Sequence, residues 1–208
     1  MRLVVSEFIS LDGVVQAPGG PQEDTDGGFR HGGWSVPLFD PASMGPAIDA
    51  GMATTEALLF GRRTWKVMAD AWVGRAGDEF ADQMNEIPKY LASRTLTADE
   101  VGWNTTLLPA DDALGAIAEL KQRDGGDLQV MGSSNLAAQL VAAGLVDVLR
   151  LMIEPVILGG GKRIFTDNGQ ASTWDLVEQS VSSTGVQICM FHFKADGVGS
   201  GSSDDFYE

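Results

Sequence analysis

The segment Ala57-Leu58-Leu59-Phe60-Gly61-Arg62-Arg63-Thr64-Trp65 passes from an apolar run to a helical pattern at a single glycine. The apolar half is typical of a buried strand, and the helical pattern begins at Thr64. Arg62 and Arg63 therefore lie where a helix begins, and the helix dipole disfavours cations there. An anion at this turn would account for both arginines, because free N–H groups and guanidinium groups would converge on it. Two solvated loop arginines are the alternative interpretation.

The composition indicates one well-cored domain with a strongly acidic surface. The chain has 208 residues, and 29 acidic against 14 basic residues give a formal charge of -15. This charge argues against nonspecific binding to nucleic acid, which requires a basic surface. Residues 1–194 are predicted to form the domain, and residues 195–208, rich in glycine, serine and aspartate, a flexible tail.

The chain shows no sign of secretion, membrane insertion or cysteine chemistry. Its single cysteine, Cys189, excludes an internal disulfide and a cysteine-based metal cluster. No apolar run approaches the roughly 18 residues needed to span a bilayer, and Glu7 interrupts any apolar core of a signal peptide. We therefore expect a cytoplasmic protein that contacts neither membrane nor nucleic acid.

Alternating strand and helix patterns predict the fold class. Strands are predicted at residues 1–9, 57–60, 88–92, 105–108, 128–131, 146–153, 174–183 and 186–194, and helices at 41–55, 64–72, 79–85, 111–123 and 136–143. This order predicts an α/β fold with a central, mostly parallel sheet, an antiparallel hairpin at its C-terminal edge and helices on both faces. Residues 14–40 show no periodicity, which is typical of a segment that covers a site or is disordered.

Four predicted strand ends carry polar or glycine-rich turns. They are Gly61-Arg62-Arg63-Thr64, Ser93-Arg94-Thr95, Gly132-Ser133-Ser134-Asn135 and Gly159-Gly160-Gly161-Lys162. Parallel strands would bring these turns to one edge, where backbone N–H groups and arginines could bind a cofactor with several phosphates. The G-x-G-x-x-G, P-loop and G-x-S-x-G fingerprints are absent, and His31 and His192 form neither a catalytic triad nor a metal set.

Several of these motifs resemble a known family. Gly61-Arg62-Arg63-Thr64-Trp65 resembles the glycine-arginine-x-threonine-tryptophan segment of dihydrofolate reductases. Ser10-Leu11-Asp12-Gly13, Val130-Met131-Gly132-Ser133-Ser134 and Glu154-Pro155-Val156-Ile157-Leu158-Gly159-Gly160 resemble the reductase domain of the bifunctional deaminase-reductase of riboflavin biosynthesis. The similarity extends over about residues 1–194. It implies a dihydrofolate-reductase-like fold with NADPH bound across the strand ends.

The resemblance also implies roles for individual residues. The cofactor-binding residues would be Gly61, Arg62, Arg63, Thr64, Ser93, Arg94, Gly132, Ser133, Ser134, Asn135, Val156, Ile157, Leu158, Gly159, Gly160 and Gly161. Among them, Ser93 and Arg94 would lie near the adenosine 2′-phosphate. Glu154 would face the substrate. The resemblance further suggests a homodimer through residues 174–194.

Three candidate site residues keep alternative interpretations. Asp12 is expected either to contact the substrate as a catalytic residue or to form the turn after the first strand. Glu154 is the stronger catalytic candidate, because a carboxylate beside a glycine-rich loop requires a reason. Trp34 is expected to form a wall of the substrate pocket or to anchor the long loop. Asp49, on the first helix, corresponds in position to the proton-donating carboxylate of dihydrofolate reductases, and an exposed surface acid is the alternative.

The function predicted from the sequence is NADPH-dependent reduction of a small heterocyclic or carbonyl/imine substrate, pyrimidine-like or pterin-like. The enzyme would be similar to 5-amino-6-(5-phosphoribosylamino)uracil reductase. The deaminase half and its zinc signature are missing, and Thr64-Trp65-Lys66-Val67 replaces the Asp-Asp-Pro segment that meets the ribose phosphate in the riboflavin enzymes. Genuine dihydrofolate reduction and a non-catalytic nucleotide-binding protein are the alternatives.

Overall fold

The computed structural model describes residues 1–168 and 170–195 of the chain. In these ranges the strands are β1 (Arg2–Ser10), β2 (Thr55–Gly61), β3 (Lys89–Ala92), β4 (Thr105–Leu107), β5 (Asp127–Met131), β6 (Val148–Glu154), β7 (Thr173–Val181) and β8 (Gln187–Lys194). The α-helices are α1 (Pro41–Ala53), α2 (Arg62–Trp72), α3 (Glu79–Glu86), α4 (Ala113–Lys121) and α5 (Ser134–Ala142). No helix of the described chain is long and apolar enough to cross a membrane.

All eight strands belong to one sheet, in the order β4-β3-β2-β5-β1-β6-β8-β7. Strands β1 to β6 pair in parallel, whereas β8 is antiparallel to both β6 and β7. The predicted α/β fold with an antiparallel C-terminal hairpin is therefore confirmed. The boundary between a domain and a tail stays a prediction, because residues 196–208 lie outside the described part of the chain.

Alternation along the buried strands produces a core on each face of the sheet. Leu58 and Phe60 of β2 pack with Trp65 and Met84, which α2 and α3 supply. The intervening Leu59 points to the opposite face, where it joins a cluster that includes apolar residues of α4 and α5. Both faces of the sheet centre are thus covered, as continuous apolar strands require.

The connections reverse direction between β1 and β5. From β1 the chain passes through α1 to β2, on one side, and from β5 it passes through α5 to β6, on the other. Such a reversal opens a crevice at the carboxyl ends of the strands. Pairing of β1 with β5 ends at Ser6 and Met131, whereas β1 pairs with β6 as far as Ser10 and Glu154. The crevice therefore begins beside Glu7.

The long loop after β1 is folded against the segment that follows β6. Val15 donates its backbone N–H to the carbonyl oxygen of Lys162 at 2.9 Å, and Val14 forms an isolated bridge with Arg163. The Gln16 side chain accepts from the Lys162 N–H at 3.0 Å and donates to the carbonyl oxygens of two acidic loop residues. This loop covers the carboxyl edge of the sheet.

Candidate functional site

Two helix N-termini meet at the carboxyl edge of the sheet. Helix α2 follows Gly61 and α5 follows Ser133, and neither start carries a side-chain cap. The Oγ of Ser133 instead accepts a hydrogen bond from the backbone N–H of Gly61 at 2.8 Å. The first N–H groups of a helix have no intrahelical partner, so two adjacent sets of donors remain available for a ligand. This is the geometry of an anion site.

The backbone at the start of α5 is compact. Gly132 has a φ of 71°, and a Cβ at this position would lie 3.2 Å from Cγ2 of Thr64. Ser133 also adopts a left-handed conformation, with φ 66° and ψ 53°. A larger side chain at residue 132 would meet both backbone strain and the α2 turn. The two turns are therefore held close to each other.

A cavity of about 870 Å³ opens beside these turns. The cofactor candidates that line it are Arg63, Thr64, Gly132, Ser133 and Ser134. Apolar side chains of α1, α2 and the sheet, among them Ile48, Met68, Trp72, Met131 and Met152, form much of the remaining wall. The structure thus brings two of the four predicted turns together at one large, mainly apolar cavity.

The long loop supplies two carboxylates to the basic residues of the edge. Asp24 lies 2.6 Å from Nη1 of Arg63 and 2.6 Å from Nζ of Lys162. Asp26 pairs with the same two cations, and its distance to Lys162 is 2.9 Å. Burial tends to raise the pKa of Asp24. The hydrogen bonds from Lys162 and Arg63 outweigh burial and hold this pKa below its ordinary value. Arg63 and Lys162 lower the pKa of Asp26 as well.

Other predicted cofactor residues lie outside the large cavity. Arg62 and Arg94 are exposed and form no ion pair within the described ranges. Ser93 is 7% exposed, and its Oγ accepts from the backbone N–H groups of Thr95 and Leu96. Its hydroxyl therefore shapes the turn after β3. Asn135 is exposed in the first turn of α5.

The glycine-rich loop lines a second cavity, of about 550 Å³. Leu158, Gly159, Gly160 and Gly161 face long-loop residues there, while Val156 and Ile157 do not line it. Gly161 has a φ of 129°, and a Cβ would lie 2.6 Å from Cγ1 of Val14, so only glycine fits. The loop segment thus lies apart from the two helix N-termini.

Asp12 joins the turn after β1 to the same glycine-rich loop. Its carboxylate accepts from Ser10 Oγ at 2.7 Å, from the Leu158 N–H at 3.0 Å and from the Gly159 N–H at 2.9 Å. Burial alone would raise the pKa of Asp12, but these hydrogen bonds together lower it to about 2. Asp12 lines neither cavity. Its geometry fits the turn-forming interpretation.

Neither Glu154 nor Trp34 lines the large cavity. Glu154 is fully buried, and its Oε1 accepts a hydrogen bond from Ser35, which itself lines the cavity. Burial raises the pKa of Glu154 to about 7, although the Ser35 hydrogen bond opposes the shift. The indole N–H of Trp34 donates to the Gln16 carbonyl at 2.8 Å, so Trp34 anchors the loop. Asp49 is exposed and does not line the cavity.

Glu7 is a buried acid of the cavity wall that the sequence did not single out. It is 6% exposed, and its Oε1 has no hydrogen-bond partner among the described residues. Burial raises the pKa of Glu7 well above its ordinary value, and the nearby Glu23 carboxyl group raises it further. The available signal was a single charge in the otherwise uncharged run from Leu3 to Ile9.

The cations of the cavity wall already have carboxylate partners. Arg2 and Arg150 both bind Asp127, at 2.8 and 3.1 Å, and Asp127 is 1% exposed. Arg63 is held by the long loop, as described above. The large cavity therefore presents acidic and apolar groups rather than a free cation, as far as the described residues extend.

Comparison with known proteins assigns a family. The family model described as the RibD C-terminal domain matches residues 2–189. The uncharacterized protein YyaP of Bacillus subtilis (strain 168) is 25% identical over 197 residues, which cover 92% of this chain and 95% of that protein.

Solved structures share the fold at low identity. A protein of Shewanella sp. PV-4, provisionally described as a riboflavin biosynthesis protein, is 18% identical with a TM-score of 0.70, covering 93% of this chain and 99% of that one. A pyrimidine reductase-like protein of Corynebacterium diphtheriae is 13% identical with a TM-score of 0.61, covering 94% of this chain and 92% of that one. Dihydrofolate reductase of Enterococcus faecalis, complexed with NADP(H) and RAB-propyl, is 14% identical with a TM-score of 0.57, covering 92% of this chain and 96% of that one.

Proposed function

The chain belongs to the RibD C-terminal domain family, and on this basis we propose that it is an NADPH-dependent reductase of a small heterocyclic or carbonyl/imine substrate. The family and the dihydrofolate-reductase-like fold support an oxidoreductase. The cofactor and the substrate class are the parts that this proposal adds.

The observation that carries the proposal is the meeting of two uncapped helix N-termini at a large cavity. The starts of α2 and α5 are joined by the Gly61–Ser133 hydrogen bond and face the crevice between β1 and β5. Backbone N–H groups there suit the pyrophosphate of a dinucleotide, and Gly132 carries no Cβ that would keep a ligand from the backbone of this turn. The residues present therefore fit NADPH.

Three arginines are candidates to bind the phosphate groups of NADPH. Arg62 and Arg94 are exposed without ion-pair partners among the described residues, so they can meet the pyrophosphate and the adenosine 2′-phosphate. Arg63 is already neutralised by Asp24 and Asp26, so its contribution requires movement of the long loop. NADPH, when bound, supplies a hydride, and the chain holds and shields the reacting groups.

The substrate we propose is pyrimidine-like or pterin-like in ring size but not strongly anionic. The cavity is large enough for a bicyclic ring, and its wall is mainly apolar. A phosphate or a glutamate carboxylate in the substrate would need a cation, yet Arg2 and Arg150 are committed to Asp127. This arrangement weighs against a phosphoribosyl pyrimidine and against the glutamate tail of folate.

The sequence candidates take supporting roles in the proposal. We assign Glu154 to the positioning of Ser35 at the cavity wall, because its own carboxyl group does not reach the cavity. Asp12 holds the glycine-rich loop, and Trp34 holds the long loop. A direct catalytic role of Glu154 or Asp12 stays a prediction from the sequence.

The test of the proposal is calorimetric titration with NADPH and with NADH. We expect saturable NADPH binding, with NADH binding at least about tenfold weaker, a difference of about 1.4 kcal/mol. Arg94→Ala should reduce this preference, whereas Arg75→Ala, which also removes an exposed arginine, should not. The absence of NADPH binding up to millimolar concentration contradicts the proposal.

Two alternative functions are separated by turnover. Oxidation of NADPH is followed by absorbance with dihydrofolate, 7,8-dihydropterin and 5-amino-6-(5-phosphoribosylamino)uracil as acceptors. Reduction of dihydrofolate at a rate typical of enzymes, at least about 1 per second, would establish a genuine dihydrofolate reductase. NADPH binding without oxidation by any acceptor would favour a non-catalytic nucleotide-binding protein.

We also propose a homodimer through the C-terminal hairpin. Strand β7 is the edge of the sheet, and it exposes Leu176, Val177 and Val181, while Phe193 of β8 is 42% exposed. An exposed apolar edge strand is a typical pairing surface. Sedimentation should give a dimer for the native chain and a monomer for Leu176→Glu. The cytoplasmic location stays a prediction.

A further inference from the structure

We propose that Glu7 is the proton donor of the reduction, an inference that rests on the function proposed above. The structure gives three independent reasons, which are its place in the sheet, its missing partner and its chemical surroundings.

Glu7 lies at the point where the crevice opens. Its neighbour Ser6 pairs with Met131, and the carbonyl oxygen of Ser6 accepts from the Gly132 N–H at 3.3 Å. Glu7 is therefore one residue beyond the last paired position of β1 and β5, directly beside the turn that opens α5. A ligand that extends from this turn into the cavity passes the Glu7 carboxyl group, because both line the same cavity.

The Glu7 carboxyl group has no structural task. Its Oε1 is buried without a hydrogen-bond partner, and no ion pair to Glu7 occurs within the described ranges. A buried carboxyl group without partners costs free energy, so the fold tolerates a cost here that an apolar residue would avoid. Glu154, the other buried glutamate, also has one oxygen without a partner, Oε2, but its Oε1 accepts from Ser35.

The surroundings of Glu7 keep a proton on it. The other titratable groups that line its cavity are Arg2, Glu23, Asp24, Arg63, Arg150, Glu178, Cys189 and His192. Arg2 and Arg150 are paired with Asp127. Arg63 is directed to Asp24 and Asp26, and the charged neighbour that acts on the pKa of Glu7 is another carboxyl group, Glu23, which raises it. Burial and a like charge both favour the neutral acid, which is the form that can donate.

The reaction step balances with Glu7 as the donor. The C=N or C=O bond of the substrate loses its π pair to the heteroatom as the hydride supplied by NADPH forms a C–H bond at carbon. The O–H bond of Glu7 breaks, and its proton forms the new N–H or O–H bond. Glu7 is left as a carboxylate, NADPH is oxidised to NADP⁺, and solvent restores the proton to Glu7 before the next turnover.

The first test needs no substrate. NMR with carboxyl-labelled glutamate, on the native chain and on Glu7→Gln, identifies the Glu7 signal by difference and follows it with pH. We expect Glu7 to titrate well above the ordinary glutamate pKa of about 4.3. Glu23→Gln should shift its titration to lower pH, whereas Glu119→Gln, an exposed acid on α4, should leave it unchanged. Titration of Glu7 near the ordinary value would overturn the proposal.

The second test separates proton transfer from cofactor binding. Glu7→Gln keeps the size of the side chain, so NADPH affinity should stay within about twofold of the native value while kcat falls by about 100-fold or more with an acceptor that the native chain reduces. An affinity loss of about tenfold or more would instead assign Glu7 to cofactor binding and overturn the proposal. If the native chain binds no NADPH, the proposed function itself fails, and the titration of Glu7 still reports on this residue.

Discussion

The Oγ of Ser133 accepts a hydrogen bond from the backbone N–H of Gly61 at 2.8 Å, and this contact joins the start of α5 to the start of α2. Residues 61 and 133 are 72 positions apart in the chain, but Gly61 ends β2 and Ser133 follows β5, the neighbouring strand. The bond fixes the distance between two sets of helix N–H donors. Binding of a ligand that contacts both sets depends on this distance.

Removal of the Ser133 hydroxyl is expected to weaken NADPH binding. Ser133→Gly deletes the hydrogen bond but suits the left-handed backbone at this residue, whereas Ser133→Ala deletes the bond and keeps the strain. Both variants should lose about three- to tenfold in NADPH affinity, corresponding to one hydrogen bond of about 0.5–1.5 kcal/mol. Fluorescence titration measures this, and Thr106→Ala, which removes an exposed hydroxyl group from β4 outside both cavities, serves as the control. Unchanged affinity in Ser133→Gly would show that the link between the turns has no role in binding.

Neutralising the loop carboxylates is expected to strengthen NADPH binding. Asp24 and Asp26 hold Arg63 and Lys162, so an incoming phosphate competes with them for the same cations. The double variant Asp24→Asn/Asp26→Asn should bind NADPH about three- to tenfold more tightly at low salt, and the gain should shrink at high salt.

The control for this prediction must match its change in net charge. Asp70→Asn/Glu119→Gln changes the charge by the same amount at exposed helix positions away from the loop. If both double variants gain affinity equally, the effect comes from the overall charge. Weaker binding in the loop variant would mean that the ordered loop is part of the bound state.

The central part of the site was predictable because it depends on the order of strands. Gly61-Arg62-Arg63-Thr64 and Gly132-Ser133-Ser134-Asn135 follow buried parallel strands, and neighbouring parallel strands must end at the same edge. The α/β fold followed from the same apolar runs. The turn at Ser93 follows β3, which lies two strands from β5, and the sequence does not specify this sheet order. The glycine-rich loop follows β6, a direct neighbour of β1, but it lines a second cavity with the long loop, and nothing in the sequence indicates that contact.

The roles of the acids could not be predicted from local sequence. The loop that contains Asp24 and Asp26 has no periodicity, so nothing in the sequence indicates that it folds back onto Arg63. The burial of Glu7 and Glu154 depends on what packs over β1 and β6, and Ser35, which covers Glu154, comes from the same loop. Tertiary contacts of an aperiodic loop therefore decide which acids are buried.

Loss of the Asp12 carboxylate is expected to lower stability at neutral pH. The folded-state pKa of Asp12 is about 2, below the unfolded value of about 3.9, so the charged form stabilises the fold above about pH 4. Asp12→Asn should lower the free energy of unfolding by about 1–2 kcal/mol, after allowance for partial exposure. The difference should disappear as the pH falls from about 4 towards 2. Urea unfolding measures it, and a loss of kcat without loss of stability would instead support a catalytic Asp12.

Replacement of Glu154 is expected to stabilise the protein at alkaline pH. The folded-state pKa of about 7 exceeds the unfolded value of about 4.3, so the folded state retains a proton that the unfolded chain releases between these values. The native chain should therefore lose about 2–3 kcal/mol of stability from this group as the pH rises from about 4 to 7. Glu154→Gln cannot ionise and can still accept the Ser35 hydrogen bond, so it should match the native chain near pH 4 and be more stable by about 2–3 kcal/mol near pH 8. Urea unfolding at both pH values, with Glu119→Gln as the exposed control, measures the difference. The titration of Glu7 affects the native chain and Glu154→Gln equally, so it cancels in the difference between their free energies of unfolding. If this difference does not vary with pH, Glu154 keeps an ordinary pKa in the folded protein.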